Sequence, residues 1–152
     1  MDIAEIFGEI DLFQGLSRYE IDSVVQVCQE RSYRRGELIF SGGSTGDELY
    51  IVKNGRVAIQ MGGRGHSPAA LIHVVEPNQV FGEMALIDQE NRAASAKAMI
   101  DCEVLILYRE DLNRVFDENP HIGHVVMQNL ASVVSLNLRK TNLQLMASQS
   151  WK

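Results

Sequence analysis

The chain has few cysteines, fewer basic than acidic residues and no long apolar run. Cys28 and Cys102 alone, in 152 residues, cannot make a disulfide framework, so a reducing, cytoplasmic setting is expected. The apolar runs are far too short to span a bilayer, and the opening MDIAEIFGEI carries Asp2 and Glu5 where a signal peptide needs basic residues. Lys and Arg number 14 against 20 Asp and Glu, for a net charge of −6. That balance argues against nonspecific nucleic-acid binding across the whole surface. It leaves room for a small anionic ligand, because a single basic group can dominate a pocket. Neither a repeat of solenoid period nor a low-complexity tract is present. The four histidines, His66, His73, His121 and His124, do not cluster with carboxylates, so neither a metal site nor a metal-dependent barrel enzyme is expected.

What is present suits one domain, residues 1–152. Hydrophobic residues make up 45% and charged residues 22%, the balance of a globular protein with a real core. Three parts follow one another. Residues 1–30 read as helical: Ser17-Arg18-Tyr19-Glu20 has the form of a capping box, and Ile21, Val24, Val25 and Cys28 recur on one helix face. Residues 31–108 read as short strands separated by turns. These are Leu38-Ile39-Phe40, Leu49–Val52, Val57–Met61, Ala69–Val75, Ala93–Met99 and Val104–Tyr108. Asn54-Gly55 between the second and third runs predicts a hairpin, and residues 62–68 another turn. Residues 109–152 are helical again. Glu110–Asp117 is short; a longer helix begins at Asn119-Pro120, with a stripe of Ile122, Val125, Val126, Leu130, Val133 and Val134. The fold class expected is mainly β: an antiparallel roll flanked by helices.

The stretch FGEMALIDQENRAASA, Phe81 to Ala96, concentrates the chemistry. Arg92 lies among alanines, where a charge is costly unless something meets it. A guanidinium fork fits a phosphate bidentately. Glu83 is an acceptor, suited to a sugar hydroxyl. Met84-Ala85-Leu86-Ile87 can form one helical turn whose free amides favour an anion. Ala85, Ala93 and Ala94 are small enough for close backbone approach. Hydroxyl acceptor, phosphate fork and helix end together describe a ribose phosphate.

This stretch resembles the phosphate-binding cassette of cyclic-nucleotide-binding domains, F-G-E-x-A-L-x(5)-R-[AST]-A-[ST], with no gap between Gly82-Glu83 and Arg92. Leu12-Phe13-Gln14-Gly15-Leu16-Ser17 and Asp47-Glu48-Leu49-Tyr50-Ile51-Val52-Lys53-Asn54-Gly55 resemble other parts of the same family. The resemblance implies a jelly-roll (double-stranded β-helix) regulatory module without catalysis. It further implies that Arg92 clasps the cyclic phosphate, Glu83 and the Gly82 backbone hold the ribose 2′-hydroxyl, and the Ala85 and Ala93 amides meet phosphate oxygens. Ile59 and Met61 would line the base. Family members that prefer guanine often carry threonine where this chain has Ala93, so cAMP is expected ahead of cGMP. A residue of the last helix would cap the base, with Leu138, Leu143, Leu145 and Trp151 as candidates. Two departures stand out. Asn78 replaces a usual glycine, at a turn where asparagine tolerates positive φ. Asp88 and Glu90 bring acids close to the phosphate. No DNA-binding domain fits before Lys152, so the expected output is an unidentified protein partner or a homodimer, with no DNA and no membrane contact. The alternative reading is a degenerate member that serves as a protein-interaction module.

Overall fold

The computed structural model describes residues 2–62 and 69–150; the turn expected at 62–68 lies mostly outside these, and so does Trp151. The chain opens with α1 (Ile3–Gly8), a 3-10 turn (Asp11–Phe13) and α2 (Arg18–Val25). Eight strands follow: β1 (Gln29–Tyr33), β2 (Leu38–Phe40), β3 (Glu48–Asn54), β4 (Val57–Gly62), β5 (Ala69–Val75), β6 (Val80–Phe81), β7 (Ser95–Ala98) and β8 (Cys102–Tyr108). A second 3-10 turn (Glu83–Leu86) separates β6 from β7, and α3 (Arg109–Glu118) and α4 (Pro120–Ser150) close the chain.

The strands form two antiparallel four-stranded sheets, in the orders β1-β8-β3-β6 and β2-β7-β4-β5. The continuous apolar runs of β3 and β8 have a physical reason: both faces of these strands are buried. Alternate side chains point to opposite faces of a strand. Leu49, Ile51, Leu105 and Leu107 pack against the helices, in a cluster with Phe7, Phe13, Leu112, Ile122 and Leu130. Tyr50, Val52, Val104 and Ile106 face the other sheet and share a second cluster with Val57, Val75, Phe81 and Ala96. The helices therefore cover one sheet, and the core between the sheets is a separate layer.

The Ser17–Glu20 capping box forms as the residues predict. The Glu20 carboxylate also reaches His121 Nδ1 of α4 at 2.5 Å, which ties the helical ends together. Asn78 takes φ 68°, the one described non-glycine residue at positive φ, so the turn that usually needs glycine is kept.

Several local expectations give way to tertiary pairing. Asn54-Gly55 does not make a hairpin: Asn54 stays in β3, only Gly55 turns left-handed at φ 104°, and β3 and β4 lie in different sheets. β3 pairs instead with β8 and β6, and β4 with β7 and β5. The turn carries the chain from one sheet to the other. Helix α2 stops at Val25, so Cys28 lies beyond it rather than on its face, and β1 already begins at Gln29. Cys28 is half-buried, and Cys102 is buried. β7 runs from Ser95 to Ala98, shorter at both ends than the expected Ala93–Met99, so Ala93 and Ala94 stay in the loop with Arg92.

Candidate functional site

The cassette turn is built as its residues suggest. Gly82 adopts φ 74°, a conformation that glycine takes without steric cost, and starts the 3-10 turn Glu83–Leu86. A Cβ there would stand 2.7 Å from Arg92 Nη1. Gly46 is needed for the same reason from the other side: its Cβ would fall 2.2 Å from Arg92 Nε. Two glycines thus leave the volume that the guanidinium fills.

Arg92 is only 9% exposed. Its Nη1 donates to the Gly82 carbonyl at 3.0 Å and its Nη2 to the Glu48 carbonyl at 2.5 Å. The Glu48 carboxylate lies 3.5 Å from Nη2, and the Phe40 ring lies 4.3 Å from the guanidinium carbon. A guanidinium carries five N–H donors. Two are committed to carbonyls, and Nε is buried with no partner among the described residues. The arginine is therefore buried and positioned, with donors to spare for an anion.

Beside it opens a cavity of about 520 Å³. Gly82, Glu83, Met84, Ala85, Arg92, Ala93, Ala94 and Ile59 of the expected set line it, and Met61 does not: it is half-exposed further along β4. Phe40, Val75, Val80 and Phe81 supply apolar wall, with His73 beside Ile59 across the β4–β5 pair. Burial pushes the Glu83 carboxyl above the usual carboxylate range, partly opposed by its own backbone amide and by the nearby charges of His73 and Arg92. Asp88 and Glu90 line the rim, as their proximity in sequence suggests.

From the last helix, Val133 and Asn137 reach the cavity. Leu138, Leu143 and Leu145 are all more than half exposed and lie away from it. Val133 belongs to the stripe read from the sequence, while Asn137 carried no signal that would single it out. Glu48 is the other residue that sequence reasoning passed over. Its carboxylate accepts from Tyr50 Oη at 2.8 Å and faces Arg92, a contact between positions 44 residues apart. Among the described residues, no three histidine, cysteine or carboxylate side chains converge on a metal-sized space.

Pocket, cassette turn and buried arginine on a two-sheet roll define a class of ligand-binding regulatory domain, and the comparisons with known proteins give its family. Residues 30–119 match the cyclic nucleotide-binding domain, and the chain belongs to that family. It is 37% identical over 137 residues to the cyclic AMP receptor protein of Thermus thermophilus, which covers 88% of this chain and 60% of that protein. The crystal structure of Thermus thermophilus catabolite activator protein superposes with a TM-score of 0.78 at 36% identity, over 89% of this chain and 61% of that one. The regulatory domain of Toxoplasma gondii PKA, crystallised with cAMP, matches at TM-score 0.68 and 26% identity, over 74% of this chain and 42% of that one. The chain thus spans about three fifths of the length of the Thermus proteins it matches. No described helix is long and apolar enough to cross a membrane.

Proposed function

We propose that the cavity binds a cyclic nucleotide, cAMP in preference to cGMP, and that residues 1–152 act as one sensor domain of the cytoplasm without catalysis of its own. The observation that carries this reading is the pairing of a buried arginine that has spare donors with a desolvated glutamate on the same cavity wall. Arg92 meets the cyclic phosphate, and the Ala85 N–H joins it by exchanging its bond to the Gly82 carbonyl, at 3.2 Å, for one to the ligand. Glu83 accepts from the ribose 2′-hydroxyl. Ile59, Val75 and Val80 give the base an apolar wall, and Asn137 of α4 closes over it. Ala93 offers no hydroxyl to a guanine edge, which supports the preference for adenine. The cAMP in the Toxoplasma relative's crystal supports the same ligand class. The output passes to a partner protein or a second copy; nothing in the mechanism calls on DNA or a membrane.

The second reading is a domain that has kept the fold and lost the ligand. One observation favours it: the Arg92 Nη groups are already held by two carbonyls and faced by the Glu48 carboxylate. Calorimetric titration with cAMP and with cGMP decides between them. Saturable heat with tighter cAMP binding is expected, and no heat with either nucleotide would leave the interaction module as the better account.

A further inference from the structure

We propose that Tyr50 is a positioning residue for Arg92: its phenol holds the Glu48 carboxylate back from the guanidinium, and so keeps the cassette arginine's donors free for a ligand anion. The effect on affinity rests on the cyclic-nucleotide reading; the restraint itself does not.

Tyr50 lies in β3, and its side chain is buried in the layer between the two sheets. Its ring stacks on Phe81 at a centroid distance of 4.9 Å and lies 5.7 Å from that of Phe40. A phenylalanine would make the same contacts, so packing does not account for the hydroxyl. A buried phenol needs a hydrogen-bond partner. Glu48 supplies it: two residues back in the strand, it shares a face with Tyr50, and its Oε1 accepts from Tyr50 Oη at 2.8 Å. Its other oxygen, Oε2, accepts from the Asp47 backbone N–H at 3.2 Å. Burial, followed by the bond to this carboxylate, pushes the Tyr50 phenol well above its ordinary range, so it stays a donor.

The restraint matters because of where the carboxylate would otherwise go. Glu48 Oε1 lies 3.5 Å from Arg92 Nη2, beyond the about 2.7–2.9 Å at which a charge-assisted bond settles. Both side chains are largely buried, so the two charges attract strongly. Nη2 already gives one N–H to the Glu48 carbonyl. At bonding distance the carboxylate would take the other, and the guanidinium would turn toward β3, away from the cavity it lines. Glu48 and Tyr50 stand behind the arginine, outside the set that lines the cavity, so they act through Arg92 and not on the ligand. Held at 3.5 Å, Glu48 offsets the cost of a buried cation before a ligand arrives and consumes none of its donors. The tyrosine hydroxyl sets the balance between these two arrangements.

The experiment is calorimetric titration with cAMP of the full chain, Tyr50→Phe, Glu48→Gln and the double variant, together with crystal structures of the same proteins without nucleotide. Tyr50→Phe removes one oxygen and keeps the ring. It is expected to bind cAMP about tenfold more weakly, the loss of roughly one charge-assisted bond. Glu48→Gln keeps an acceptor for Tyr50 Oη and removes the charge, and it is expected to bind at least as tightly as the wild type. The double variant is expected to follow Glu48→Gln, because without the carboxylate there is nothing for the phenol to restrain. In the ligand-free Tyr50→Phe structure, Glu48 Oε1 is expected within about 3 Å of Arg92 Nη2. A Tyr50→Phe protein within about twofold of wild-type affinity would overturn the proposal. So would a double variant as weak as Tyr50→Phe, which would make the hydroxyl a matter of packing. A carboxylate that stays at its wild-type distance in the Tyr50→Phe structure would overturn the restraint whether or not the protein binds a nucleotide. A wild type that gives no heat with cAMP would count instead against the functional reading, and the ligand-free structures would still decide the restraint.

Discussion

Arg92→Ala tests whether the cassette arginine is a strut as well as a ligand-binding group. The sequence alone suggests that its removal would weaken binding and leave the fold intact. The structure predicts a cost to both. Truncation leaves the Gly82 and Glu48 carbonyls without their charged donors, and bonds to charged groups contribute roughly 1.5–3 kcal/mol each. Two such bonds give a gross loss of about 3–6 kcal/mol. Part of this is offset, because the buried guanidinium no longer has to be desolvated and water can enter from the open cavity. Glu48 also keeps its bond from Tyr50 Oη. A net loss of about 3 kcal/mol is expected, equivalent to a fall of roughly 6–12 °C in Tm for a chain of this size. Urea unfolding of the ligand-free protein measures it without interference from binding, and Arg92→Lys, which keeps the charge and loses the fork, should fall between. Calorimetry on the same variant should show cAMP affinity reduced more than 100-fold, about 2.7 kcal/mol. An Arg92→Ala protein within about 0.5 kcal/mol of wild type would refute the claim that this arginine braces β3 against the cassette.

Three further outcomes are expected. Ala93→Thr should raise cGMP affinity relative to cAMP in competition titrations; an unchanged ratio would remove Ala93 from the account of base choice. For Glu83, burial raises the carboxyl pKa, and a ribose hydroxyl binds the ionised form, so affinity should be full at neutral pH and decline on acidification beginning above the ordinary carboxylate value of about 4.3. Glu83→Gln should bind more weakly and without that inflection, and a wild-type affinity that grows on acidification would reverse the assignment. At Glu20 the bond with His121, followed by the capping contacts with Ser17, holds the carboxyl below its ordinary range. Its contribution is present above the unfolded value and lost as pH falls through the lower native one, so Glu20→Gln should flatten the acid limb of the stability profile; a parallel limb in the variant would mean the pair contributes nothing.

How much of this was legible depended on the range over which each residue acts. The capping box, the Asn78 turn and the spacing from Gly82 to Arg92 are local, and they read correctly. The cavity side of the cassette follows from that spacing, since one 3-10 turn brings Glu83 and Ala85 to the same wall as Arg92. The Asn54-Gly55 hairpin misled because the turn is a local preference, whereas β3 finds its partner in β8 and β4 in β7. Glu48 was invisible because its contact with Arg92 joins positions 44 residues apart. On α4 the apolar stripe pointed to Val133, but the leucines beyond it drew attention toward a tail that is exposed. Asn137 reaches the pocket through helix position, which no property of its own side chain announces.

The strand order has a consequence for how the protein is made. The last two strands to leave the ribosome, β7 and β8, occupy interior positions in the two sheets: β8 lies between β1 and β3, and β7 between β2 and β4. Of the pairings among the described residues, only β4 with β5 joins strands that follow one another in the chain. A nascent chain that has delivered everything up to Arg92 therefore carries strands with unmatched edges on both sheets, and only the short bridge of Thr45 to Asn91 to bring Arg92 toward Glu48. Non-local pairing of this kind slows folding and exposes edges to other chains meanwhile. Products cut short before residue 108 should be substrates for chaperones and proteases rather than partial sensors, and a pocket able to hold a ligand should form only when synthesis of the roll is complete.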